Sequence, residues 1–277
     1  MLSVLSTGVF IIVLIIVSPL GKALGESVVA VTPVGEFPHA LEFNPYNNNI
    51  YVANRDSGTV SVIDSTNNTV IENITVGGSS GPMKFNPSNN YTYVVNAVSN
   101  NISVIDTSTN VVTNDVIVGS NPVALEFNPY NSYVYVANAI SNTVSIIDNR
   151  TNMVTKDVDV ETSPIAIKFN PYNNNIYVAN RDSGTVSVID STNNTLLENV
   201  AVGTEPIALE FNPSNNNIYV ANVVSNSVSM IESMNNTVTD TVDVGSLPMA
   251  LIFNPSNDGV YVAGTLTGTD GLVSVIR

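Results

Sequence analysis

Cysteine and tryptophan are absent, and His39 is the only histidine in the chain. Without thiols there is neither a disulfide framework nor a thiolate metal site, and the compartment cannot be read from redox chemistry. Metal centres built on several histidines are excluded. A Ser–His–Asp triad would rest on His39 alone, and no nucleophile-elbow motif accompanies it. Positive charge is also scarce: 8 Lys and Arg stand against 23 Asp and Glu, a net charge of −15. That balance repels phosphate backbones and anionic lipid surfaces, which excludes nucleic acid as a natural partner. Lys, Glu, Ala and Leu, which fill helices, are thin, whereas Val, Ile, Thr, Tyr and Asn are abundant. This is the composition of an all-β protein.

One uninterrupted apolar run stands out, from Val9 to Val17, followed by Pro19 and by Ala23 and Gly25 at the −3 and −1 positions of a cleavage site. Residues 1–25 read as a secretory signal peptide. The segment before the run has no Lys or Arg, and Leu2 to Leu20 is long enough to span a bilayer as an uncleaved N-terminal anchor. Either way residues 26–277 face the outside, as a secreted or cell-surface domain attached to a membrane only through that segment.

The rest of the chain is periodic. Val34, Val76, Val118, Val160, Val202 and Val244 stand 42 residues apart, and each opens the pattern V-G-x-x-P-x-A-L-x-F-N-P-x-N-x-x-x-Y-V-A-N. The stretches Phe43–Thr69 and Phe169–Thr195, three units apart, are identical letter for letter. A period of this length with several short strands indicates propeller blades, and the amphipathic spacing of helical repeats is missing. In the first copy strands are expected at His39–Phe43, Ile50–Ala53, Thr59–Asp64 and Val70–Val76. The links between them are Asn, Gly, Pro and Ser clusters, with Asn suited to left-handed turn positions. The sixth copy stops after three strands. Residues 27–35, SVVAVTPVG, match the fourth-strand segment Thr69–Gly77, so the expected fold is a six-bladed β-propeller whose ring is closed by the N-terminal strand.

The combination of FNPxN, YVAN, NTVSVID and a closing VG resembles the YVTN-type β-propeller repeats of archaeal surface-layer proteins and related secreted propellers. The resemblance covers Ser27 to Arg277. It implies a propeller fold and leaves function open, since similar propellers serve as surface scaffolds, as adhesion modules and, more distantly, as enzymes. The second copy departs from the pattern, with Ser80 in place of Pro and with Pro82 inside the first strand. The fourth has Glu161 in place of Gly, and the sixth carries extra residues within GTLTGTDGLVSV.

Residues common to all copies serve packing and turns, so candidate sites are sought where the copies differ. On the first strand one position reads Glu42, Lys84, Glu126, Lys168, Glu210 and Ile252, an alternation that predicts ion pairs between blades. In a closed ring Ile252 leaves Glu42 and Glu210 with no cation between them, which makes that pair the candidate for Ca2+, a cation that prefers oxygen ligands. The turn NRDSGT in blades one and four places Arg55, Asp56, Arg181 and Asp182 as two charged patches on one rim. Asn54, Asn96, Asn138, Asn180 and Asn222 in the same hairpins are expected to form Asx turns. Asn67, Asn149, Asn193 and Asn235 lie in N-x-S/T sequons at turns, the candidate glycan sites. These features favour a noncatalytic binding or envelope scaffold whose partner is a surface protein or a glycan. The alternative is a calcium-dependent hydrolase, lactonase-like, or a lyase working at the channel mouth.

Overall fold

The computed structural model describes residues 28–265 and 271–277; the signal-peptide expectation for residues 1–25 lies outside the described residues. All the described secondary structure is strand, within residues 38–276. Among the described residues no helix is long and apolar enough to cross a membrane.

Each repeat folds into an antiparallel meander whose strands follow chain order. Sheet one holds β1 (Pro38–Asn44), β2 (Asn49–Asn54), β3 (Thr59–Asp64) and β4 (Thr69–Thr75). Sheet two holds β5 (Ser80–Asn86), β6 (Tyr91–Asn96), β7 (Asn101–Asp106) and β8 (Val111–Ile117). Sheet three holds β9 (Pro122–Asn128), β10 (Tyr133–Asn138), β11 (Thr143–Asp148) and β12 (Met153–Asp159). Sheet four holds β13 (Pro164–Asn170), β14 (Asn175–Asn180), β15 (Thr185–Asp190) and β16 (Thr195–Ala201). Sheet five holds β17 (Pro206–Asn212), β18 (Asn217–Asn222), β19 (Ser227–Glu232) and β20 (Thr237–Asp243). The sixth sheet has three strands, β21 (Ser246–Asn254), β22 (Gly259–Thr265) and β23 (Gly271–Ile276).

Asparagine sets the turns. Asn48, Asn68, Asn100, Asn110, Asn142 and Asn152 all have φ between 52° and 60°. Asn is enriched there because its short polar side chain bonds locally and lowers the cost of the left-handed region. In the NRDSGT turns the same position is Gly58 (φ 59°) and Gly184 (φ 66°), where glycine adopts that conformation without a Cβ penalty. Asx turns fix the tight links: Asn44 Oδ1 accepts from Tyr46 N at 2.8 Å, Asn47 Oδ1 from Asn49 N at 3.0 Å, and Asp64 Oδ1 from Thr66 N at 2.8 Å.

The core lies between sheets. Tyr93, Val95, Ile102, Val104 and Val116 of sheet two pack on Leu125, Phe127, Val134, Val136 and Ile147 of sheet three, and equivalent residues repeat this at the next two interfaces. Because both faces of an interior sheet are covered, β10 and β14 are apolar in succession rather than in alternation. Polar side chains stitch the same interfaces. Tyr51, Tyr93, Tyr135 and Tyr177 each donate to the left-handed Asn of the next sheet: Asn110, Asn152, Asn194 and Asn236, at 2.7–2.8 Å.

Two features of the expected ring are not found. The fourth strand does not come from the N-terminus: residues 28–34 lie outside any strand, and Val28, Val29 and Val31 are exposed. The reason is legible in the alignment of SVVAVTPVG with Thr69–Gly77. Outer strands are anchored by one buried aliphatic residue, Ile74, Val116, Val158 or Val200. The N-terminal segment offers Thr32 at that position, followed by Pro33, which has no N–H to donate to a ladder. Nor is the ring shut. First strands pack in series from β1 through β5, β9, β13 and β17 to β21, and β21 shares no comparable packing with β1. Leu41 and Phe43 are therefore 65% and 49% exposed, against 8% for both Leu125 and Phe127.

Candidate functional site

The alternating charges of the first strands meet between sheets in two of the four neighbouring pairs. Glu42 Oε1 accepts from Phe85 N at 2.9 Å, Lys84 Nζ lies 3.9 Å from Glu126, and Lys168 Nζ reaches Glu210 at 2.7 Å. Glu126 stands between two lysines, yet burial pushes its pKa up, with Lys84 and then Lys168 opposing. Desolvation outweighs the attraction at this rung, as it often does when a charge leaves water. Both ion pairs keep some solvent exposure and contribute modestly. Glu42 and Glu210 are not brought together: they sit on β1 and β17, each engaged with a different neighbour. Among the described residues no group of three or more His, Asp or Glu is arranged to hold a metal ion.

The two NRDSGT turns, identical in sequence, behave differently. Arg181 Nε donates to Asp182 at 2.9 Å. Arg55 instead donates from Nε to Ser79 Oγ at 3.3 Å and lies over the Phe37 ring, 5.8 Å from its centroid. The difference comes from outside the duplicated stretch, since the fourth copy has Ser163 where the first has Phe37.

Asn54, Asn96, Asn138, Asn180 and Asn222 do not form the expected Asx turns. They are buried, and each Nδ2 donates across the hairpin, as Asn54 does to Thr59 Oγ1 at 3.1 Å and Ser61 Oγ at 2.9 Å. Their Oδ1 atoms accept no hydrogen bond from the described residues. Close packing adds a second constraint: a Cβ on Gly35, Gly77, Gly119 or Gly203 would fall within 2.8 Å of one of these asparagines. Of the sequon asparagines, Asn67, Asn193 and Asn235 are exposed on turns. Asn149 is 3% exposed and donates to Ser88 Oγ at 2.9 Å, so a glycan there would break an interface bond.

The turn carboxylates are tied down rather than poised. Hydrogen bonds from the Thr66 and Ser108 side chains hold Asp64 and Asp106 below the usual carboxylate range, and the Arg150 guanidinium does the same for Asp148.

Two clefts break the symmetry. A half-open one of about 340 Å³ lies at the start of β1, β5 and β9, and its lining includes His39, Arg55, Ser79, Gly81, Pro82 and Val123; an open one of about 410 Å³ lies at the Arg181 turn, where Asp182 and Glu205 line it. The departures at Ser80 and Pro82 mark the place of the first in the sequence, with Gly81 between them. Across the six copies this position reads His39, Gly81, Val123, Ile165, Ile207 and Met249. The signal was a missing side chain beside the single histidine.

Comparison with known proteins supports the fold. A YNCE-like β-propeller family model matches residues 80–181. Hydrazine synthase of Kuenenia stuttgartiensis aligns over 91% of this chain and 99% of its own, with a TM-score of 0.57 and 14% identity. A functionally unknown protein from Desulfotomaculum acetoxidans aligns over 82% of this chain and 78% of its own, with a TM-score of 0.67 and 17% identity. At such identities the likeness is one of fold alone. No curated protein matches the sequence. Residues 80–181 are similar to the YNCE-like β-propeller family.

Proposed function

We propose that the protein is a noncatalytic binding or envelope scaffold displayed outside the cytoplasm, with a surface protein or glycan as its partner. The observation that carries this reading is how the polar side chains are used. The buried Tyr, Asn, Ser and Thr groups bond to one another between sheets, and the inner-strand charges pair at two steps of the series, so the chemistry that repeats is spent on assembly. The leader-like Val9–Val17 run supports placement outside, and the acidic exterior disfavours nucleic acid. The reading includes closure of the six blades into a ring through their two end faces. Leu41 and Phe43 at one end, and Val273 and Val275 at the other, are exposed where the same repeat positions are buried inside the series. Apolar faces of that extent attract a cover.

The alternative is a calcium-dependent hydrolase using Glu42 and Glu210, which ring closure would bring nearer to each other. The experiment has two arms on the full-length protein. Protease added to intact cells should degrade it, and a chain protected until lysis would defeat the display reading. Its melting temperature should be the same in EDTA and across a calcium series. A saturable rise, lost in the Glu42→Gln, Glu210→Gln variant, would favour the hydrolase, because a ligand that binds only the native state raises stability by mass action.

A further inference from the structure

We propose that the cavity at the start of β1, β5 and β9 binds an acidic sugar, its carboxylate on Arg55 and His39. The proposal rests on the binding-scaffold reading and names a ligand class for it.

The space exists because one side chain is absent. Gly81 is buried and stands where the flanking blades carry His39 and Val123 and where blades four and five carry Ile165 and Ile207. A Cβ at Gly81 would have His39 Cδ2 at 3.9 Å and Val95 O at 4.0 Å as its nearest neighbours, which is ordinary contact, and the glycine does not have positive φ. The backbone therefore does not require glycine here. Pro82 extends the effect: the β5–β6 register is irregular from Ser80 to Met83, a wider break than that between Pro38 and Ala40 in β1–β2. The resulting cavity, about 340 Å³, falls within the usual size of small-molecule pockets.

The lining selects the ligand. Arg55 and His39 are its charged or chargeable groups, and no carboxylate is among the lining residues. On a chain of net charge −15 that leaves a cation in the cleft wall, with the nearby Glu36 and Asp56 outside the lining. Among the described residues no acid pairs with Arg55, and neither ring nitrogen of His39 is hydrogen-bonded to a side chain or to backbone. Its duplicate Arg181 is instead neutralised by Asp182 at 2.9 Å. Arg55 is also held in place, by Ser79 at 3.3 Å and by the Phe37 ring. A guanidinium fork matches a carboxylate, the Ser79 hydroxyl and the Asn121 amide suit ring hydroxyls, and Pro82 with Val123 offers an apolar wall to a sugar face.

The test is isothermal titration of the full-length protein with D-glucuronate, D-glucose, acetate and inorganic phosphate. The expected result is saturable glucuronate binding, with glucose, acetate and phosphate much weaker. Gly81→Ile, which restores the side chain of blades four and five, and Arg55→Gln should each weaken binding by at least about tenfold. Arg181→Gln should leave it unchanged. Thermal melts of the variants check folding, and Arg55→Gln decides the matter if Gly81→Ile does not fold. Undiminished binding in either cavity variant, an equal loss in Arg181→Gln, or acetate or phosphate binding as tightly as glucuronate would overturn the assignment. Absence of glucuronate binding would also overturn it and leave the scaffold reading intact. Conversion of bound glucuronate to a new product, seen by proton NMR, would sink the noncatalytic reading and leave the pocket standing.

Discussion

The stretches Phe43–Thr69 and Phe169–Thr195 have the same letters, the same strands and the same hairpin register, yet not the same environment. Phe169 is 8% exposed against sheet three, whereas Phe43 is 49% exposed at the end of the series. Ser191 is buried and accepts from Asn128 Nδ2 at 2.8 Å, while its duplicate Ser65 is exposed. Arg181 pairs with its own neighbour Asp182, and Arg55 turns to Ser79 and Phe37. Local sequence thus builds the blade, and the adjacent blade decides what each residue is worth.

The strongest way to break this comparison is to truncate the two duplicate phenylalanines. Phe169→Ala should cost about 3–5 kcal/mol by denaturant unfolding, the usual range for emptying a packed aromatic site. Phe43→Ala should cost less but still more than about 1 kcal/mol if the end faces mate in solution. A value within about 0.5 kcal/mol of the parent would mean that the face stays open.

The tyrosine clamps sharpen the same contrast. Tyr135 donates to Asn194 at 2.7 Å and accepts from Asn131 at 2.8 Å. Tyr219 accepts from Asn215 at 2.9 Å, with no such Asn in a following sheet among the described residues. Tyr135→Phe should therefore destabilise by about 1–2 kcal/mol and Tyr219→Phe by about half of that or less. Guanidinium melts of the two variants, run in parallel, read the difference directly; equal costs would show that the bond to the next sheet contributes nothing.

Alkaline pH attacks the clamps together. Burial pushes the Tyr93 and Tyr135 phenols from the ordinary 10.0 to about 12, and it raises Tyr51 and Tyr177 as well. The unfolded chain ionises its tyrosines at the lower value, so this contribution is fully present below pH 10 and is lost as pH rises toward about 12. Melting temperature should fall steeply across that window, and a flat profile there would contradict the buried clamp. The smallest effect is expected at Glu126. Burial opposes its ionisation and its partner Lys84 is 44% exposed, so Glu126→Gln should change stability by about 0.5 kcal/mol or less near neutrality, as for ion pairs that water reaches. A loss of several times that would show that the Lys84 and Lys168 attraction dominates after all.

Much of the blade was readable beforehand. Thr59–Asp64 is a strand with the expected bounds, the other three strands of the first copy differ by a residue at each end, and asparagine occupies most of the left-handed positions. The Glu–Lys alternation on the first strands gives ion pairs at two of its four neighbouring steps, Lys84–Glu126 and Lys168–Glu210, while Glu42 takes a backbone N–H instead. The buried role of Asn54 and its equivalents was not readable, since an Asn beside a turn bonds its own backbone or a facing strand according to packing. Nor was the cavity, because a glycine in a strand shows only that a side chain is missing and not whether a neighbour fills the space.

The sequence by itself determined the all-β class, the 42-residue unit, the strand and turn positions and the acidic surface, because period, turn chemistry and charge are local or additive properties. Tertiary structure alone decided which end faces stay exposed, that residues 28–34 add no fourth strand, where Arg55 and Arg181 part company, and that Gly81 leaves a cavity beside His39. Those outcomes depend on how surfaces from different repeats fit against one another, and identical letters carry no record of their neighbours.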